Sequence, residues 1–332
     1  MAKDYPPLKN VPGFSWLGLN IGIKDETLDF GVIASDCKCS AAGVFTKNNM
    51  QGAPVIIGRE HLKDGQLQAI VVNSKIANVA TGQSGIEDAK NMCRWTASSL
   101  GISPEQVLPS STGVIGKKLP VEKIQEACES ISKKLGSTPE HIENFARAIM
   151  TTDTNPKWCF ELIGNATLLG IAKGAGMIEP NMATMLAFIL TDAAIVPENL
   201  QTCLTNAVND SFNRITIDGD QSTNDTVLML SNGDVKNKEI NPKSIDWKKF
   251  TNAVNEICFE LAMMIVHDGE GADRFITLFV EGAITDDDAD IAARSVANSL
   301  LNKTAWAGSY PDWGRIMDAI GYSSAKIIDE KV

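Results

Sequence analysis

A single threonine is the most suggestive chemical group in this sequence. Thr184 lies within KGAGMIEPNMATMLAFILTDA, where glycines, a proline and an asparagine run into a dense apolar stretch. Because threonine suits the pleated surface of a strand, an ordinary strand position is one interpretation. The other is a nucleophile, since a threonine freed at a new amino terminus carries its own α-amine as a base. That amine titrates at about 7.7–8.0, and freeing it requires cleavage of the bond between Ala183 and Thr184.

Histidine, the most common catalytic base, is scarce here. The three histidines are His61, His141 and His267. His267 precedes Asp268, but no G-x-S-x-G elbow supports a serine triad, and a histidine that closes a helix is the favoured interpretation. A threonine with its own α-amine needs no histidine, which keeps Thr184 as the candidate.

Three polar or glycine-rich stretches fail the spacing tests for familiar binding sites. GVIGKK (113–118) lacks the glycine spacing and the Lys-Ser/Thr of a phosphate loop, and GAGMIE (174–179) lacks the third glycine of a dinucleotide turn. DGDQSTND (218–225) begins like a calcium loop, but its sixth position is Thr223 and its twelfth is Met229. For this last stretch we predict a hydrogen-bonded turn that supports the wall of an active site.

The composition is that of a globular protein and limits the kinds of partner that the protein is expected to bind. The chain has 332 residues, 44% of them hydrophobic, and a formal net charge of -11 from 30 basic and 41 acidic residues. The basic residues form no stripe, so a nucleic-acid partner is not expected. The seven cysteines lack metal or redox spacing, the amino terminus lacks signal-peptide character, and no apolar run suffices for a bilayer. We therefore expect a cytoplasmic protein with reduced thiols and neither metal nor membrane.

Strands and helices together must position these groups. Short apolar or alternating runs predict strands, and apolar residues recurring every three or four positions predict helices. The predicted strands are 29–36, 42–46, 54–58, 67–74, 226–233 and 274–283, and the predicted helices are 86–100, 121–135 and 249–266. Turn composition indicates a loop over 231–247. Because the two kinds of element are mixed along the chain, we expect a layered α/β or α+β fold.

At KGAGMIEPNMATML (173–186) the sequence resembles the self-cleavage signature of the ornithine acetyltransferase (ArgJ) family, whose precursors cut themselves before the threonine of MATML. Six further blocks occur in the family's order: AAGVFT (41–46), STGVIG (111–116), TTDT (151–154), DGDQSTNDT (218–226), HDGEGA (267–272) and DWGRIMDAIGYS (312–323). On these residues the chain is identified as a member of that family. The resemblance implies a self-cleaving ArgJ/DmpA-like α/β fold, an α+β layered sandwich with sheets packed between helix layers.

The resemblance also implies a reaction and a set of site residues. Thr184 would be the nucleophile that takes acetyl from N-acetylornithine and passes it to glutamate by a ping-pong route. Thr112, through its hydroxyl, and Gly113, through its backbone N–H, would form the oxyanion hole. The implied substrate-binding residues are Thr151, Lys173, Thr184 and Glu270. Without the resemblance, a plain Ser-Thr-Gly turn and two exposed charges would be the ordinary interpretations.

Further expectations concern the mature protein. Cleavage would give an α chain (1–183) and a β chain (184–332) that intertwine, and two of each would form a heterotetramer without a cofactor. Some family members also use acetyl-CoA to acetylate glutamate, and no residue here separates the two types. Family members continue beyond the GYS block with a segment whose Asn and Thr complete the substrate pocket. This sequence reaches Val332 without a match to that segment.

Two alternatives stay open at this point. A self-processing N-terminal-nucleophile aminopeptidase or amidase would use the same freed nucleophile but let water take the acyl group. A truncated, non-catalytic homologue would fold and associate without turnover. The ordered family blocks favour acyl transfer over both.

Overall fold

An eight-stranded mixed sheet forms the centre of the computed structural model, which describes residues 8–179, 185–236 and 238–328. The strands are β1 (Phe14–Leu19), β2 (Phe30–Phe45), β3 (Gln66–Asn73), β4 (Val107–Ser111), β5 (Lys157–Ile163), β6 (Ala166–Lys173), β7 (Leu186–Thr191) and β8 (Thr226–Ser231). They follow the order β4, β3, β2, β8, β7, β6, β5, and β1 pairs with β2. The pairs β3–β4 and β7–β8 are parallel, whereas the other pairs are antiparallel.

Helices cover both faces of this sheet. Those in the described residues are α1 (Ala53–His61), α2 (Gly82–Leu100), α3 (Val121–Cys128), α4 (Ile131–Lys134), α5 (Pro139–Ala148), α6 (Pro197–Asp210), α7 (Trp247–His267), α8 (Asp286–Asn298), α9 (Leu300–Ala307) and α10 (Trp313–Gly321). In β7, Ala187 and Ile189 join a core with α6 and α7, while Phe188 and Leu190 join a core with α5. Burial on both faces explains why every residue of β6, β7 and β8 is buried.

One edge of the sheet brings three strand termini together. Lys173, the last residue of β6, pairs with Leu186 at the start of β7. Leu186 in turn pairs with Thr226 at the start of β8. Side chains and loops that leave these three termini therefore share one region, although the first and the last of these residues, Lys173 and Thr226, lie 53 positions apart in the sequence.

The fold class and most predicted elements are confirmed. The structure is mixed α/β, with strands at 67–74 and 226–233 as β3 and β8, and with α2 and α7 over the helices predicted at 86–100 and 249–266. The helix predicted over 121–135 is present as α3 and α4 with a break between them. The strands predicted at 29–36 and 42–46 form one long strand, β2, with a shift of register between Ala34 and Cys39.

Two strand predictions are wrong. Residues 54–58 lie in α1, where Pro54 occupies the first turn and its fixed φ favours the start of a helix. A short apolar run cannot by itself distinguish a strand from a buried helix segment. Residues 274–283 have no regular structure and Phe279 is 86% exposed. No described strand pairs with that stretch, and a strand without a neighbouring edge is not stable.

Two further properties follow from the described residues. None of their helices combines the length and apolar character that crossing a membrane demands. All seven cysteines lie within the described part of the chain as free thiols, and only Cys37 is exposed.

Candidate active site

A cavity of about 890 Å³ lies at the sheet edge where β6 ends. Loops from widely separated parts of the chain line it: 24–27, 75–77, 112–115, 151–152, 176–177 and 220–224. The site residues implied by the resemblance that the structure describes are all among the lining residues, namely Thr112, Gly113, Thr151, Lys173 and Glu270. Ala183 and Thr184 lie outside the described residues.

Gly113 occupies a position that only glycine can fill. Its φ is +127°, and a Cβ there would lie 2.2 Å from the carbonyl carbon of Lys75. This close approach arises because Val114 hydrogen-bonds on both sides, donating to Lys75 O at 2.9 Å and accepting from Ala77 N at 2.9 Å. The N–H of Gly113 donates to no acceptor in the described part of the chain. It is thus a fixed donor, beside the cavity, with no protein partner among those residues.

Lys173 links β6 to the turn that follows β4. The side chain is buried, with the residue 3% exposed, and its Nζ donates to Oγ1 of Thr112 at 3.3 Å. Burial lowers the pKa of Lys173, and the negative charge of Asp153 opposes this shift. None of the described carboxylates lies within 4 Å of the Lys173 ammonium. Lys173 thus lies next to an empty volume without a carboxylate partner, and an anion bound there would favour its charged form.

A buried ion network holds the backbone on both sides of the cavity. Lys157 Nζ lies 2.7 Å from Asp153 Oδ1 and 2.6 Å from Asp268 Oδ2. Asp153 also accepts hydrogen bonds from the N–H of Gly174 at 2.6 Å and of Thr151 at 3.0 Å. One carboxylate therefore fixes the segment that carries Thr151 and the residue that follows Lys173.

The charges and hydrogen bonds around Asp153 lower the pKa of its carboxyl group. Burial by itself would raise the pKa of Asp153, but the charges of Lys173 and Lys157 and the hydrogen bonds to its oxygens outweigh burial. The result is a pKa of about 2. At neutral pH the group is ionised and compensates much of the positive charge around it.

Glu270 follows α7 and faces the cavity from the opposite side. Its N–H donates to Ala175 O at 2.7 Å, and a Cβ on Gly176 would lie 2.4 Å from Glu270 Oε2. Gly176 thus leaves the space that the carboxylate occupies. Glu270 is exposed and forms no ion pair within the described residues. His267 is the last residue of α7 and stacks on Phe275, as predicted for a helix-closing histidine.

The DGDQSTND stretch (218–225) forms a wall of the cavity and holds its neighbours. Asp218 accepts hydrogen bonds from the N–H groups of Met177 at 2.5 Å and Ile178 at 2.9 Å. Asp225 accepts one from Met185 N at 2.6 Å. The same loop therefore fixes the described backbone on both sides of residues 180–184.

Asp225 differs from Asp153 in the direction of its pKa shift. It is fully buried, and this burial raises its pKa well above the usual value, although Met185 N–H and the charge of Lys173 oppose the shift. Its Oδ2 accepts no hydrogen bond from a described residue, and the nearby Ser222 hydroxyl does not reach it with normal geometry. The raised pKa favours the protonated form, which avoids the cost of an unpaired buried charge.

Sequence reasoning missed several residues that build this site. Asp153, Asp225 and Asp268 fall within the blocks TTDT, DGDQSTNDT and HDGEGA, so their positions in these blocks were the available signal. Lys157 and Lys24 fall outside every block. Lys24 lines the cavity from the loop between β1 and β2, and only the three-dimensional contacts bring it into the site.

Comparison with known proteins gives matches over nearly the whole chain. The model of the ArgJ family matches residues 15–332. The "Arginine biosynthesis bifunctional protein ArgJ 2" of Clostridium acetobutylicum is 46% identical over 317 residues, which cover 96% of this chain and 79% of that protein. The "Arginine biosynthesis bifunctional protein ArgJ" of Streptococcus mutans is 47% identical over 320 residues, with 95% and 79% covered. This chain thus spans about four fifths of the length of these relatives.

A solved structure is also similar. The arginine biosynthesis bifunctional protein ArgJ of Bacillus halodurans is 35% identical to this chain, with a TM-score of 0.47. The similarity covers 53% of this chain and 92% of that one.

Proposed function

The chain belongs to the ArgJ family of arginine-biosynthesis acyltransferases, and from this premise we propose that it transfers an acetyl group from N-acetylornithine to glutamate. The observation that carries the proposal is the meeting of Thr112, Gly113, Thr151, Lys173 and Glu270 at one cavity. These residues come from four separate parts of the fold and span 159 positions of sequence, from 112 to 270.

Thr184 is the proposed nucleophile, freed by autoproteolysis between Ala183 and Thr184. Support comes from the residue that follows it, because Met185 N–H is bonded to Asp225 next to the cavity wall. The residue that follows the proposed nucleophile in the chain is therefore fixed beside the cavity. The freed α-amine of Thr184 supplies the base, and no histidine lines the cavity.

The first half of the reaction forms an acyl-enzyme. Thr184 Oγ attacks the acetyl carbonyl carbon of N-acetylornithine, and the α-amine takes the hydroxyl proton. The resulting tetrahedral oxyanion collapses, the bond from carbon to the ornithine nitrogen breaks, and the α-amine returns the proton to that nitrogen. Ornithine leaves with a free amine, and the acetyl group remains as an ester on Thr184.

In the second half, glutamate replaces ornithine in the cavity. The amine of glutamate attacks the ester carbonyl carbon and loses a proton to the α-amine of Thr184. The second oxyanion collapses with breakage of the bond to Thr184 Oγ, which recovers the proton. The products are N-acetylglutamate and free enzyme, so each acetyl group moves once and no water is consumed.

Two donors from one turn stabilise both oxyanions in this proposal. The N–H of Gly113 has no acceptor among the described residues, so it is available. The Thr112 hydroxyl accepts from Lys173 Nζ, which leaves its own hydrogen free to donate. Donors that are already in place cost no reorganisation when charge develops.

Charge explains the proposed substrate contacts. Both substrates carry an α-carboxylate, which suits the buried Lys173 amine because a bound anion favours its charged form. Ornithine also carries an ammonium group on its side chain, and the exposed carboxylate of Glu270 suits that group. Thr151, whose backbone Asp153 holds, adds a hydroxyl at the same cavity.

Intact mass spectrometry is the first test. The natural protein is expected to give two species that break between residues 183 and 184, and Thr184→Ala is expected to give one. A native mass of two copies of each species would support the proposed heterotetramer. A single uncut species in both proteins would contradict the proposal and favour the non-catalytic alternative.

Product analysis separates transfer from hydrolysis. With acetyl-labelled N-acetylornithine and glutamate, the label is expected in N-acetylglutamate, and omission of glutamate is expected to stop net turnover. Label that appears only in acetate would instead indicate the amidase alternative. A parallel assay with acetyl-CoA as donor tests whether the same acyl-enzyme forms from a thioester.

A further inference from the structure

Lys24 presents a cation to the cavity that forms no ion pair with a described carboxylate. Its Nζ donates to the carbonyl oxygens of Leu28 and Met150, both at 2.7 Å. An ammonium has three N–H donors, so two neutral acceptors leave one donor unused. None of the described carboxylates lies within 4 Å of this ammonium. Met150 directly precedes Thr151, which places Lys24 next to a proposed substrate contact.

The surroundings of Lys24 favour the arrival of an anion. Burial is the main cause that lowers the pKa of Lys24 to about 8, and the positive charges of Lys173 and Lys75 add to it. The carboxylates of Asp29 and Asp153 oppose the shift without restoring the usual value. Asp29 is itself satisfied by the backbone N–H groups of residues 21, 23 and 24. A carboxylate bound at the third donor would compensate the charge.

The lysines that line the cavity are not equivalent. Lys75 lies 3.5 Å from Asp25 and is largely exposed. Lys173 donates to Thr112 beside the oxyanion donors, and Lys24 donates only to backbone carbonyls. Two lining cations therefore lack a carboxylate partner among the described residues. N-acetylornithine carries one carboxylate, whereas glutamate carries two. The number of carboxylates on glutamate therefore equals the number of these lysines.

From this match we infer that Lys24 is a specificity-determining residue that binds the side-chain carboxylate of the acceptor glutamate, while Lys173 binds its α-carboxylate. The inference rests on the proposed function and adds the recognition of the second substrate. It explains how one cavity accepts side chains of opposite charge: Glu270 meets the ammonium of ornithine, and Lys24 meets the carboxylate of glutamate. Both groups line the cavity from different loops.

The two half-reactions can be measured separately in a ping-pong enzyme. Exchange of labelled ornithine into N-acetylornithine reports the donor half without glutamate, and exchange of labelled glutamate into N-acetylglutamate reports the acceptor half without ornithine. For Lys24→Met, we expect the KM for glutamate to rise roughly 10- to 100-fold, since a hydrogen bond to a charged group contributes that much. Ornithine exchange is expected to stay within about twofold of the natural protein.

Glutamine supplies a matched acceptor that lacks only the side-chain charge. The natural protein is expected to prefer glutamate over glutamine roughly 10- to 100-fold, and Lys24→Met is expected to lose that preference. Lys24→Arg keeps the charge and is expected to recover part of it. A folding defect would slow both acceptors equally, so the ratio of the two rates separates recognition from damage.

Lys123→Met is the control for the loss of a lysine that holds the loop between β1 and β2 in place. Lys123 Nζ donates to Gly22 O at 2.5 Å in the same loop, but it does not line the cavity. Its substitution is expected to leave both exchanges and the acceptor preference unchanged.

The outcomes distinguish this inference from the proposed function. Equal loss of both exchanges in Lys24→Met, unchanged glutamate preference, or loss of ornithine exchange alone would overturn the role of Lys24. Absence of both exchanges in the natural protein would instead overturn the proposed function itself.

Discussion

At the scale of single residues, this site depends on positions where adding a single methyl group would displace the backbone. Gly113 is such a position, because the neighbouring backbone of Lys75 leaves no room for a Cβ and φ is +127°. The same backbone contact aims the Gly113 N–H away from the described protein acceptors. The conformation that excludes other residues is therefore also the one that keeps the donor available.

Gly113→Ala is expected to reduce the acetyl-transfer rate roughly 10²- to 10³-fold, the effect of losing one oxyanion donor. The added methyl group would push the turn away from Lys75 and move the N–H. Steady-state kinetics with N-acetylornithine and glutamate measure this effect. Gly116→Ala is the matched control, since Gly116 also has a positive φ of +80° but open space around its Cβ position. A similar rate loss in both variants would contradict the special role of Gly113.

A second prediction concerns the buried carboxylate of Asp153. Asp153→Asn is expected to lower the free energy of unfolding at pH 7 by about 3–5 kcal/mol, because it leaves buried lysine charges without full compensation. Urea denaturation measures the change. Glu143→Gln is the control, because the Glu143–Arg147 pair has the same four-residue spacing as Asp153–Lys157 but is exposed. Its loss is expected to cost at most about 1 kcal/mol.

The same carboxylate predicts the direction of a pH effect. The pKa of Asp153 falls from 3.8 to about 2 on folding, so the unfolded chain binds more protons between these values. The stabilisation by Asp153 is complete above about pH 3.8 and is lost as the pH falls through about 2. The difference in stability between the natural protein and Asp153→Asn is therefore expected to shrink below pH 4. A difference that does not change with pH would contradict the assigned pKa.

At the scale of elements, the loop before β8 organises the site. Asp218 holds the N–H groups of Met177 and Ile178, and Asp225 holds that of Met185. These two carboxylates lie seven positions apart, on either side of the residues that line the cavity. One loop thus fixes the approach to residues 180–184 and the departure from them.

Asp225→Ala is expected to impair self-cleavage, because it removes the acceptor for the Met185 N–H. Asp225→Asn is expected to cleave nearly as the natural protein does. Burial raises the pKa of this carboxyl and so disfavours its charged form, and an amide has the same shape and retains a carbonyl oxygen. The cleaved fraction in intact mass spectra measures both effects. Equal failure of the two variants would show instead that the carboxyl proton itself is required.

At the scale of the whole molecule, the proposed cleavage divides the sheet without separating it. β7 and β8 would belong to the β chain, and they lie between β2 and β6, which would belong to the α chain. Backbone hydrogen bonds therefore join the two pieces on both sides of the β7–β8 pair. Their side chains also enter the same cores as those of the α-chain strands.

The two cleavage products are consequently expected to elute together in native size-exclusion chromatography and to separate only in concentrated guanidinium chloride. Extraction of β7 and β8 would expose a buried sheet interior on both faces, which is strongly unfavourable. The uncut Thr184→Ala protein should elute at the same volume. Separate native peaks for the two products would contradict the interleaved arrangement.

Local patterns in the sequence determined several elements correctly. The helix over 249–266 buries a regular set of side chains, and its periodicity is visible without the fold. The strands over 67–74 and 226–233 are short, almost continuously buried apolar runs, which are visible in the same way. The order of short motifs also placed the chain in its family. Those motifs named the five cavity residues that the structure describes, although nothing local showed that these residues meet.

Only the tertiary structure decided the properties that depend on distant neighbours. Residues 54–58 became a helix and residues 274–283 lack a strand, because pairing with other elements decides such short apolar runs. The network around Lys157, the raised pKa of Asp225 and the lowered pKa of Lys24 were equally hidden. Charge state follows burial and nearby charges, and folding brings these together from positions more than 100 residues apart in the sequence.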